Sequence, residues 1–440
     1  MSPLQHGLTP KMKQISPRRS AVICALDIGT SKVACLIARL KPCGAQEALR
    51  RRSHAVEVLG IGHTRARGIK SGTVVNLVEA EQAVRHAVDA AERMAHVHVE
   101  SVVLSVSAGR ISSELYAATV HMAGSTATEN DIQRVLAAGS RHSVRSGRAV
   151  LHSLPVSYAL DESRDIRDPR GMLGRRLGVD MHVATTEVAV ARNLMLAVEQ
   201  CHLSVEAMAA APYAAGLCAL ADDEADLGAA VVDIGAGTTT IAVFSRGRLV
   251  HADSFALGGN HVTNDLARGL TAKVADAERI KTLHGCAISG TSDERDMITV
   301  PPVGEDDREP PHVVSRAALV RIISPRIEEI LEMVRDRLAG SPFASDPGAR
   351  VVLTGGTSQL AGLPEMAARM LARRVRVGRP LGIAGLPEAA KGPAFAVAAG
   401  LLIYPQVAHL EQFESRRARQ LMTGTEGYFA KVGRWLRESF

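Results

Sequence analysis

The pattern of apolar and polar positions repeats one distinctive unit in two distant parts of the chain. In Val231–Phe244, an apolar run ends at Asp233, a glycine-rich turn follows, and a second apolar run begins at Thr239. Short apolar runs bounded by glycine and threonine are typical of buried β-strands. Ala25–Ala38 has the same order, with Asp27 at the end of its first run. The pattern predicts two similar strand–turn–strand units.

The residues of the second turn suit an anionic ligand. Gly235 and Gly237 allow backbone conformations in which consecutive N–H groups converge on an anion. Thr238 and Thr239 add hydroxyl groups, and Asp233 places a carboxylate where a hydrated Mg²⁺ would lie beside phosphates. No Gly-Lys-Ser/Thr follows and the chain continues as a strand, so this turn is not a P-loop.

A third glycine turn follows an apolar run late in the chain, in Val351–Gly362. Each turn alone is weak evidence, because Asp-Gly turns are common. Two Asp-Ile-Gly turns and a later diglycine turn, in this order, indicate two similar half-domains that enclose one nucleotide.

Periodicity also predicts the helices and an insertion. Apolar positions spaced for one helical face occur in Glu79–Met94, and Thr128 is the expected N-cap of a short helix to Ala138. Residues 102–183 have a strand-rich texture that interrupts an otherwise α/β pattern, so we predict an inserted subdomain. Ser324-Pro325 predicts the N-cap and first turn of a new helix.

Composition narrows the class of protein. The 440 residues are 46% hydrophobic and only 3% aromatic, which predicts an aliphatic core in two or more domains. The net charge of +6 lies at the ends: residues 1–20 contribute +4 and residues 405–440 contribute +2. A neutral body argues against nucleic-acid binding as the main function. The six scattered cysteines predict buried, reduced thiols, and no signal peptide or membrane-spanning segment is expected.

The last residues combine aromatic and basic side chains. Four of the 13 aromatic residues fall in the last 13 positions, including the single tryptophan. On a helix, one face of roughly 140° would carry the apolar residues and the other face the cations. The apolar face comprises Tyr428, Phe429, Val432, Trp435, Leu436 and Phe440, and the cations are Lys431, Arg434 and Arg437. Such a helix suits an anionic membrane interface; the alternative is a helix docked on the body.

The motifs together resemble a known superfamily. The segments ALDIGTSKVACLIA, VVDIGAGTTTIAVF and VVLTGGTSQLAGLP resemble the two phosphate hairpins and the adenosine turn of the actin/Hsp70/sugar-kinase superfamily. With DAERIKTLHGCA and the closing WLRESF, the chain is similar to the FtsA family of bacterial cell-division proteins over residues 21–440. Ala236 stands where a third glycine is common in that family. The resemblance implies an α/β, actin-like two-lobed nucleotide-binding fold with an inserted small α+β subdomain and a C-terminal amphipathic helix.

The resemblance implies boundaries within residues 21–440. The expected parts are a first lobe (21–101 and 184–215), the insertion (102–183), a second lobe (216–262 and 345–404) with a subdomain (263–344), a linker (405–426) and the amphipathic helix (427–440). Residues 1–20 lie outside the resemblance, and their polar, basic composition predicts a disordered extension.

The resemblance also implies roles for single residues. ATP and Mg²⁺ are the expected cofactors, with Asp27 and Asp233 organising the metal. The expected phosphate contacts are Gly29, Thr30, Ser31, Lys32, Gly235, Gly237, Thr238 and Thr239. The expected ribose contacts are Glu278 and Lys281, and Gly355 and Gly356 would back the adenosine. Arg326 and Glu329 match the surface that receives the C-terminal tail of FtsZ, and Phe429, Val432, Trp435, Leu436 and Phe440 would enter the membrane.

The implied function is structural. The family resemblance predicts a protein that polymerises on the cytoplasmic face of the inner membrane, anchors the FtsZ ring at the division site and recruits later division proteins through residues 102–183. It predicts at most a weak ATPase. The alternatives are a small-molecule kinase of the same superfamily, which has no need of an amphipathic tail, and an actin-like pilus-assembly protein. An Hsp70-like chaperone requires a β-rich domain after the third turn, and too few residues follow it.

Overall fold

The computed structural model describes residues 9–12, 15–43, 52–141, 145–302 and 311–411. These residues form two compact units. The first unit contains the described parts of Met1–Ser113, Val144–His152 and Ala184–Ala408, and the second contains those of Glu114–Ser143, Ser153–Val183 and His409–Phe440.

Strands and helices alternate along the chain, as the sequence pattern predicts for an α/β protein. The first elements are β1 (Ala21–Ile28), β2 (Lys32–Pro42), β3 (His54–Arg65), β4 (Ile69–Lys70), β5 (Thr73–Val74), α1 (Leu77–Ala95) and β6 (Ser101–Val106). They are followed by β7 (Ser112–His121), α2 (Glu129–Gly139), β8 (Arg148–Leu160), β9 (Ser163–Ile166), β10 (Arg176–Glu187), α3 (Val188–Glu199), β11 (Ser204–Ala210), α4 (Ala211–Ala219) and α5 (Asp222–Leu227).

The remaining elements contain the second and third glycine turns. They are β12 (Ala229–Ile234), β13 (Thr239–Ser245), β14 (Arg248–Phe255), α6 (Gly259–Gly269), α7 (Val274–His284), β15 (Met297–Val300), β16 (His312–Ser315), α8 (Arg316–Ala339), β17 (Arg350–Thr354), α9 (Leu363–Leu371), β18 (Val375–Val377), β19 (Ile383–Ala384) and α10 (Ala396–Val407). Short 3₁₀ turns lie at Pro342–Ser345, Gly356–Gln359, Glu388–Ala390, Pro393–Phe395 and Ala408–Glu411.

The first unit contains two sheets that share the order of five strands, and β19 adds a sixth strand to one of them. One sheet runs β11-β6-β1-β2-β3-β19 and the other runs β18-β17-β12-β13-β14. In each, an antiparallel hairpin (β1–β2 or β12–β13) continues into a third antiparallel strand on one side. Two parallel strands extend each hairpin on the other side. The prediction of two similar strand–turn–strand units is confirmed, and each unit lies in its own sheet.

The core of the first unit is aliphatic, as the low aromatic content predicts. Helix α1 buries Ala80, Ala83, Val84, Ala87, Val88 and Ala91, which is the face that the periodicity identifies. Every residue of α10 is buried, and Gly400 allows close packing, because a Cβ there would lie 1.7 Å from the carbonyl oxygen of Ala214. Pro393–Glu411 is long and apolar enough to cross a membrane, but 83% of its apolar window is buried. This burial identifies it as a core helix.

The second unit confirms the predicted α+β insertion. Strands β7, β10, β8 and β9 form a four-stranded sheet in that order, and α2 contributes Ile132, Val135 and Leu136 to a core with side chains of this sheet. Thr128 is the N-cap of α2, as predicted: its Oγ1 accepts from Asp131 N, and Asp131 Oδ2 accepts from Thr128 N.

Three predictions about the chain's organisation are wrong in part. Residues 102–106 belong to the sheet of the first unit rather than to the insertion, because β6 pairs with β1 and β11. Helix α8 is continuous through Pro325, and the Ser324 hydroxyl donates to Ala287 O instead of capping a new helix. Residues 9–12 are ordered, since the backbone of Thr9 donates to Val150 O at 3.2 Å and its side chain is only 2% exposed.

The amphipathic helix at 427–440 and most of the linker at 405–426 lie outside the described residues. The division of the second half at residues 263 and 344 stays a prediction.

Candidate functional site: three glycine turns in the first unit

The first and second turns close in the same way. In the first, the Gly29 N–H donates to Lys32 O at 3.0 Å, and in the second the Gly235 N–H donates to Thr238 O at 2.9 Å. Each aspartate lies in the last strand residues before its turn, where cross-strand pairing fixes its backbone. The local sequence therefore folds twice into one hairpin geometry.

The two turns contact each other. A Cβ built on Gly237 would lie 2.5 Å from Thr30 Oγ1 and 2.7 Å from its Cγ2, so the Thr30 side chain rests on this glycine. Thr30 Oγ1 also accepts from the Gly72 N–H at 2.9 Å. Only a residue without a side chain permits this approach. The tightest requirement for glycine in the second turn is thus at Gly237.

The third turn packs on the second. Gly355 has φ +82°, a left-handed conformation that favours glycine, and a Cβ there would lie 2.3 Å from Asp233 Oδ1. Thr357 Oγ1 donates to Gly235 O at 2.9 Å. The structure therefore brings all three predicted turns together, although they are distant in the sequence.

Two carboxylates lie at the first and second turns, and of these Asp233 is buried and Asp27 is half-buried. Burial raises the pKa of Asp27, while the Ser105 hydroxyl, which donates to Asp27 Oδ1 at 2.6 Å, and the Lys32 ammonium oppose the shift. Burial raises the pKa of Asp233 to about 7; the negative charge of Asp27 adds to this shift, and Lys32 opposes it. Burial lowers the pKa of Lys32 to about 8, although the negative charges of Asp27 and Asp233 oppose this shift. The arrangement favours a further cation near the carboxylates.

This donor set fits Mg²⁺. The described residues contain no group of three or more His, Cys, Asp or Glu that could hold a metal. Mg²⁺ commonly binds through one or two carboxylates, several waters and the phosphates of a substrate. Asp27 and Asp233 would supply the carboxylates, and their raised pKa values mean that a bound cation would stabilise their charged forms.

The predicted ribose contacts lie next to the second turn through α6. Lys281 Nζ donates to Glu278 Oε2 at 2.6 Å, to Thr263 Oγ1 at 2.8 Å and to Gly259 O at 3.2 Å. The first amides of α6 bind the second turn, with Gly259 N donating to Gly235 O at 2.9 Å and Asn260 N donating to Ala236 O at 2.7 Å.

The predicted phosphate contacts are not equivalent in the structure. Ser31 is exposed and Gly29, Thr30, Lys32 and Gly235 are half-buried. Thr239 is different: its side chain is fully buried, and its Oγ1 donates to Leu257 O at 2.8 Å. Its position in β13 does not support the predicted phosphate contact. Gly356 is exposed beside Ala394.

Sequence reasoning missed several residues that shape the site. Ser105 binds Asp27, Thr357 binds the second turn and Thr263 contacts the Glu278–Lys281 pair. Isolated serines and threonines carry no sequence signal of such a role. Gly258-Gly259 does carry one, because a diglycine before a helix often marks a close backbone approach.

Arg326 and Glu329, the predicted partner-binding residues, lie on α8 and form an ion pair with each other. Arg326 Nε also donates to Asp265 Oδ2 at 2.6 Å, and this hydrogen bond raises the pKa of Arg326. The Arg326 side chain is 27% exposed and that of Glu329 is 49% exposed, so a partner can reach both.

The duplicated sheets and the apposed turns define an actin-like α/β protein. Solved structures with this fold include the PilM-PilN type IV pilus biogenesis complex, with a TM-score of 0.59 and 17% identity over 87% of this chain and 98% of that chain. MreB5 of Spiroplasma citri bound to ADP matches with a TM-score of 0.51 and 13% identity over 93% of this chain and 100% of that chain.

Sequence comparison identifies the family. A model described as "Cell division protein FtsA" matches residues 230–400, and one described as "SHS2 domain inserted in FTSA" matches residues 108–185. Cell division protein FtsA of Agrobacterium fabrum (strain C58 / ATCC 33970) is 54% identical over 436 residues, 99% of this chain and 98% of that protein. Cell division protein FtsA of Escherichia coli (strain K12) is 33% identical over 426 residues, which are 95% of this chain and 98% of that protein. The chain belongs to the FtsA family of cell-division proteins.

This membership settles the class of function. The chain is an actin-like cell-division protein of a structural family rather than a classical enzyme, so the small-molecule kinase alternative is set aside. The inserted unit is the SHS2 domain of this family. The match to the SHS2 model begins at residue 108, after β6, which agrees with the assignment of β6 to the parent sheet.

Proposed function

We propose that this cell-division protein binds ATP with Mg²⁺ between its first and second turns and polymerises on the cytoplasmic face of the inner membrane. There it would anchor the FtsZ ring at the division site and help recruit later division proteins through its inserted unit. The observation that carries the nucleotide assignment is the contact of Thr30 with Gly237, which brings the two turns together.

The chemistry of the three turns supports a nucleoside triphosphate. Turn amides and the half-buried Lys32 ammonium would bind phosphate oxygens. Asp27 and Asp233 would hold Mg²⁺ against those phosphates. The third turn and the Glu278–Lys281 pair meet beside the second turn, because a Cβ built on Gly259 would lie 2.4 Å from Thr357 Oγ1 and 3.5 Å from Lys281 Nζ, and this position is suited to the adenosine end of the ligand. An actin-like neighbour, MreB 5 of Spiroplasma citri, has been solved bound to AMPPNP.

Calorimetric titration of the full chain with ATP tests this assignment. We expect binding in MgCl₂, weaker binding in EDTA, and much weaker binding of adenosine, which lacks the phosphates that the turns would contact. Equal affinity for ATP and adenosine would show that the turns do not bind phosphates, and no binding of ATP would refute the nucleotide assignment.

Membrane attachment is proposed from the sequence of residues 427–440, which lie outside the described structure. Each large apolar side chain that leaves water gains roughly 1.5–3 kcal/mol, while ordering the backbone costs about 1–2 kcal/mol per residue. Three cations add about 1 kcal/mol each near an anionic leaflet. One tail would therefore bind weakly, and a polymer with many tails would bind tightly through avidity.

Sedimentation with liposomes tests the membrane assignment. We expect Trp435→Glu to release the protein from anionic vesicles, and the matched Trp435→Phe variant to keep most of the binding. Vesicles of neutral lipid should bind the parent more weakly, because the cations then contribute less. If Trp435→Glu sediments as well as the parent at the same salt concentration, the tail is not the anchor.

Partner binding is proposed at Arg326 and Glu329 on α8. We expect Arg326→Glu to weaken the binding of an FtsZ tail peptide without changing ATP affinity. Arg321→Glu is the matched control, because Arg321 lies on the same helix with a 69% exposed side chain. Peptide affinities that are equal in the parent and in Arg326→Glu would place the docking surface elsewhere.

A further inference from the structure

A fourth segment lies against the three glycine turns. It is the 3₁₀ turn Pro393–Phe395, immediately before α10. Pro393 O accepts from the Gly355 N–H at 3.2 Å and from Thr354 Oγ1 at 3.1 Å, so the third turn holds one end of this segment. The other end continues into the fully buried α10.

The same segment holds the lysine of the first turn. Lys32 Nζ donates to Ala394 O and lies 3.4 Å from the centroid of the Phe395 ring. The ring is 8% exposed, and the His63 ring packs edge-on against it at a centroid distance of 5.9 Å. Phe395 is therefore fixed from a second side, and its face is presented to the ammonium.

This contact is more than the packing of an aliphatic stem against an aromatic ring. The charged nitrogen itself lies over the ring face, where the ring quadrupole attracts a cation. An ammonium has three N–H donors, and the Ala394 carbonyl takes one. The remaining donors are available to an anionic ligand, while the ring and the carbonyl restrict where the nitrogen can lie.

We propose that Phe395 is a positioning residue for phosphate binding, which acts by holding the Lys32 ammonium over its ring face at the first turn. The inference rests on the proposed nucleotide binding and deepens it. The segment Pro393–Phe395 then contacts both Lys32 of the first turn and Gly355 of the third turn. One short segment would therefore support both the phosphate end and the adenosine end of the ligand site.

The charges around Lys32 explain why such a support is needed. Asp27 and Asp233, near the carboxyl-terminal ends of β1 and β12, attract the ammonium. His63 packs against the Phe395 ring. Without the ring and the Ala394 carbonyl, a flexible lysine would be drawn to the carboxylates and compete with Mg²⁺. Held on the ring, it remains beside the carboxylates and leaves them to the metal.

The decisive experiment is a double-mutant cycle on ATP affinity in MgCl₂. Phe395→Leu keeps an apolar side chain of similar reach but removes the ring face, and we expect ATP affinity to fall between about 3-fold and 30-fold. Phe395→Tyr keeps the ring face and should retain nearly the parent affinity. In a Lys32→Gln background, Phe395→Leu should cost little more, because its effect acts through the lysine.

A matched control separates this role from a general loss of packing. Phe343→Leu removes the other ring that lies under a cation among the described residues, with Arg373 Cζ 5.1 Å from its centroid. This pair is not in the turns, so ATP affinity should stay at the parent value although stability falls. Thermal unfolding of each variant shows whether it is folded.

A second readout needs no nucleotide. In the ligand-free protein, acylation of Lys32 by acetic anhydride, followed by mass spectrometry, should be slower in Phe395→Leu than in the parent, because only the neutral amine reacts and the released ammonium would pair with Asp27 and Asp233. Full additivity of Phe395→Leu and Lys32→Gln, or acylation that is unchanged or faster, would overturn the positioning role. If the parent binds no ATP, the proposed nucleotide binding is refuted. The acylation rates would then still test whether Phe395 holds the Lys32 ammonium.

Discussion

The first and second turns are built on one plan but are held differently. Both close through the same glycine-to-carbonyl hydrogen bond, at 3.0 Å in the first and 2.9 Å in the second. In the second turn, Gly235 O and Ala236 O accept three hydrogen bonds from α6 and Thr357. The first turn instead carries the lysine, and one of its hydroxyls, Thr30 Oγ1, accepts a backbone N–H.

This difference indicates a division of roles between the halves. The second turn is a backbone surface whose carbonyls are fixed from outside, which suits it to present N–H groups in one geometry. The first turn adds a positive charge on a long side chain, which Phe395 and Ala394 hold in place. Duplicated hairpins thus become complementary because different neighbours pack on them.

We expect the largest effect from a substitution that breaks the contact between the two turns. Gly237→Val should lower ATP affinity by about 1,000-fold, because the turns would separate and lose two charge-assisted hydrogen bonds of about 1.5–3 kcal/mol each. Gly29→Ala should cost much less, since a Cβ there meets only Lys32 O at 3.0 Å. Calorimetric titration in MgCl₂ measures both, with circular dichroism as the test of folding. Equal losses would contradict the assignment of the tightest contact to Gly237.

The second effect concerns the carboxylates and pH. Burial raises the pKa of Asp233 to about 7, so its contribution to the free energy of unfolding is fully present below about pH 4 and is lost as pH rises towards 7. Asp233→Asn removes this penalty. In the absence of Mg²⁺ and nucleotide, we expect the variant to be more stable than the parent by about 2 kcal/mol at pH 8 and nearly equal to it at pH 4.

Asp27→Asn sharpens the comparison between the halves. The Ser105 hydroxyl and Lys32 offset part of the penalty at Asp27, so this variant should gain less stability at pH 8 than Asp233→Asn. Denaturant unfolding at pH 4 and pH 8 in EDTA measures these differences. Both variants should also lose the dependence of ATP affinity on Mg²⁺. The burial argument would be contradicted if the difference in unfolding free energy between Asp233→Asn and the parent were the same at pH 4 and pH 8.

The smallest effect separates two neighbouring threonines of the second turn. Thr239→Val should leave ATP affinity unchanged, because the Thr239 hydroxyl is already bonded to Leu257 O inside the sheet. Thr238→Val should weaken ATP binding by about 5-fold, the loss expected for one hydrogen bond of about 1 kcal/mol. Titration of both variants under one condition tests this order. A larger loss for Thr239→Val would restore the role that the sequence pattern predicts.

The sequence alone is most informative where structure is local. The two strand–turn–strand units, the apolar face of α1 and the N-cap of α2 all follow from short-range periodicity and capping chemistry. Most residues of the candidate site lie in the glycine turns for the same reason, since glycine and aspartate at fixed spacing specify a backbone geometry. The duplicated turns also identify the half-domains, because each requires its own sheet.

The tertiary structure alone decides which distant residues meet. Ser105 reaches Asp27 across 78 positions, and Ala394 reaches Lys32 across 362. Nothing in local periodicity shows that the Thr239 hydroxyl donates to Leu257 O, or that β6 joins the parent sheet rather than the insertion. Backbone geometry is set by neighbours in sequence, whereas burial and pairing depend on which surfaces pack in the folded chain. The sequence therefore determined the turns, and the packing of two sheets decided which of their side chains face a ligand.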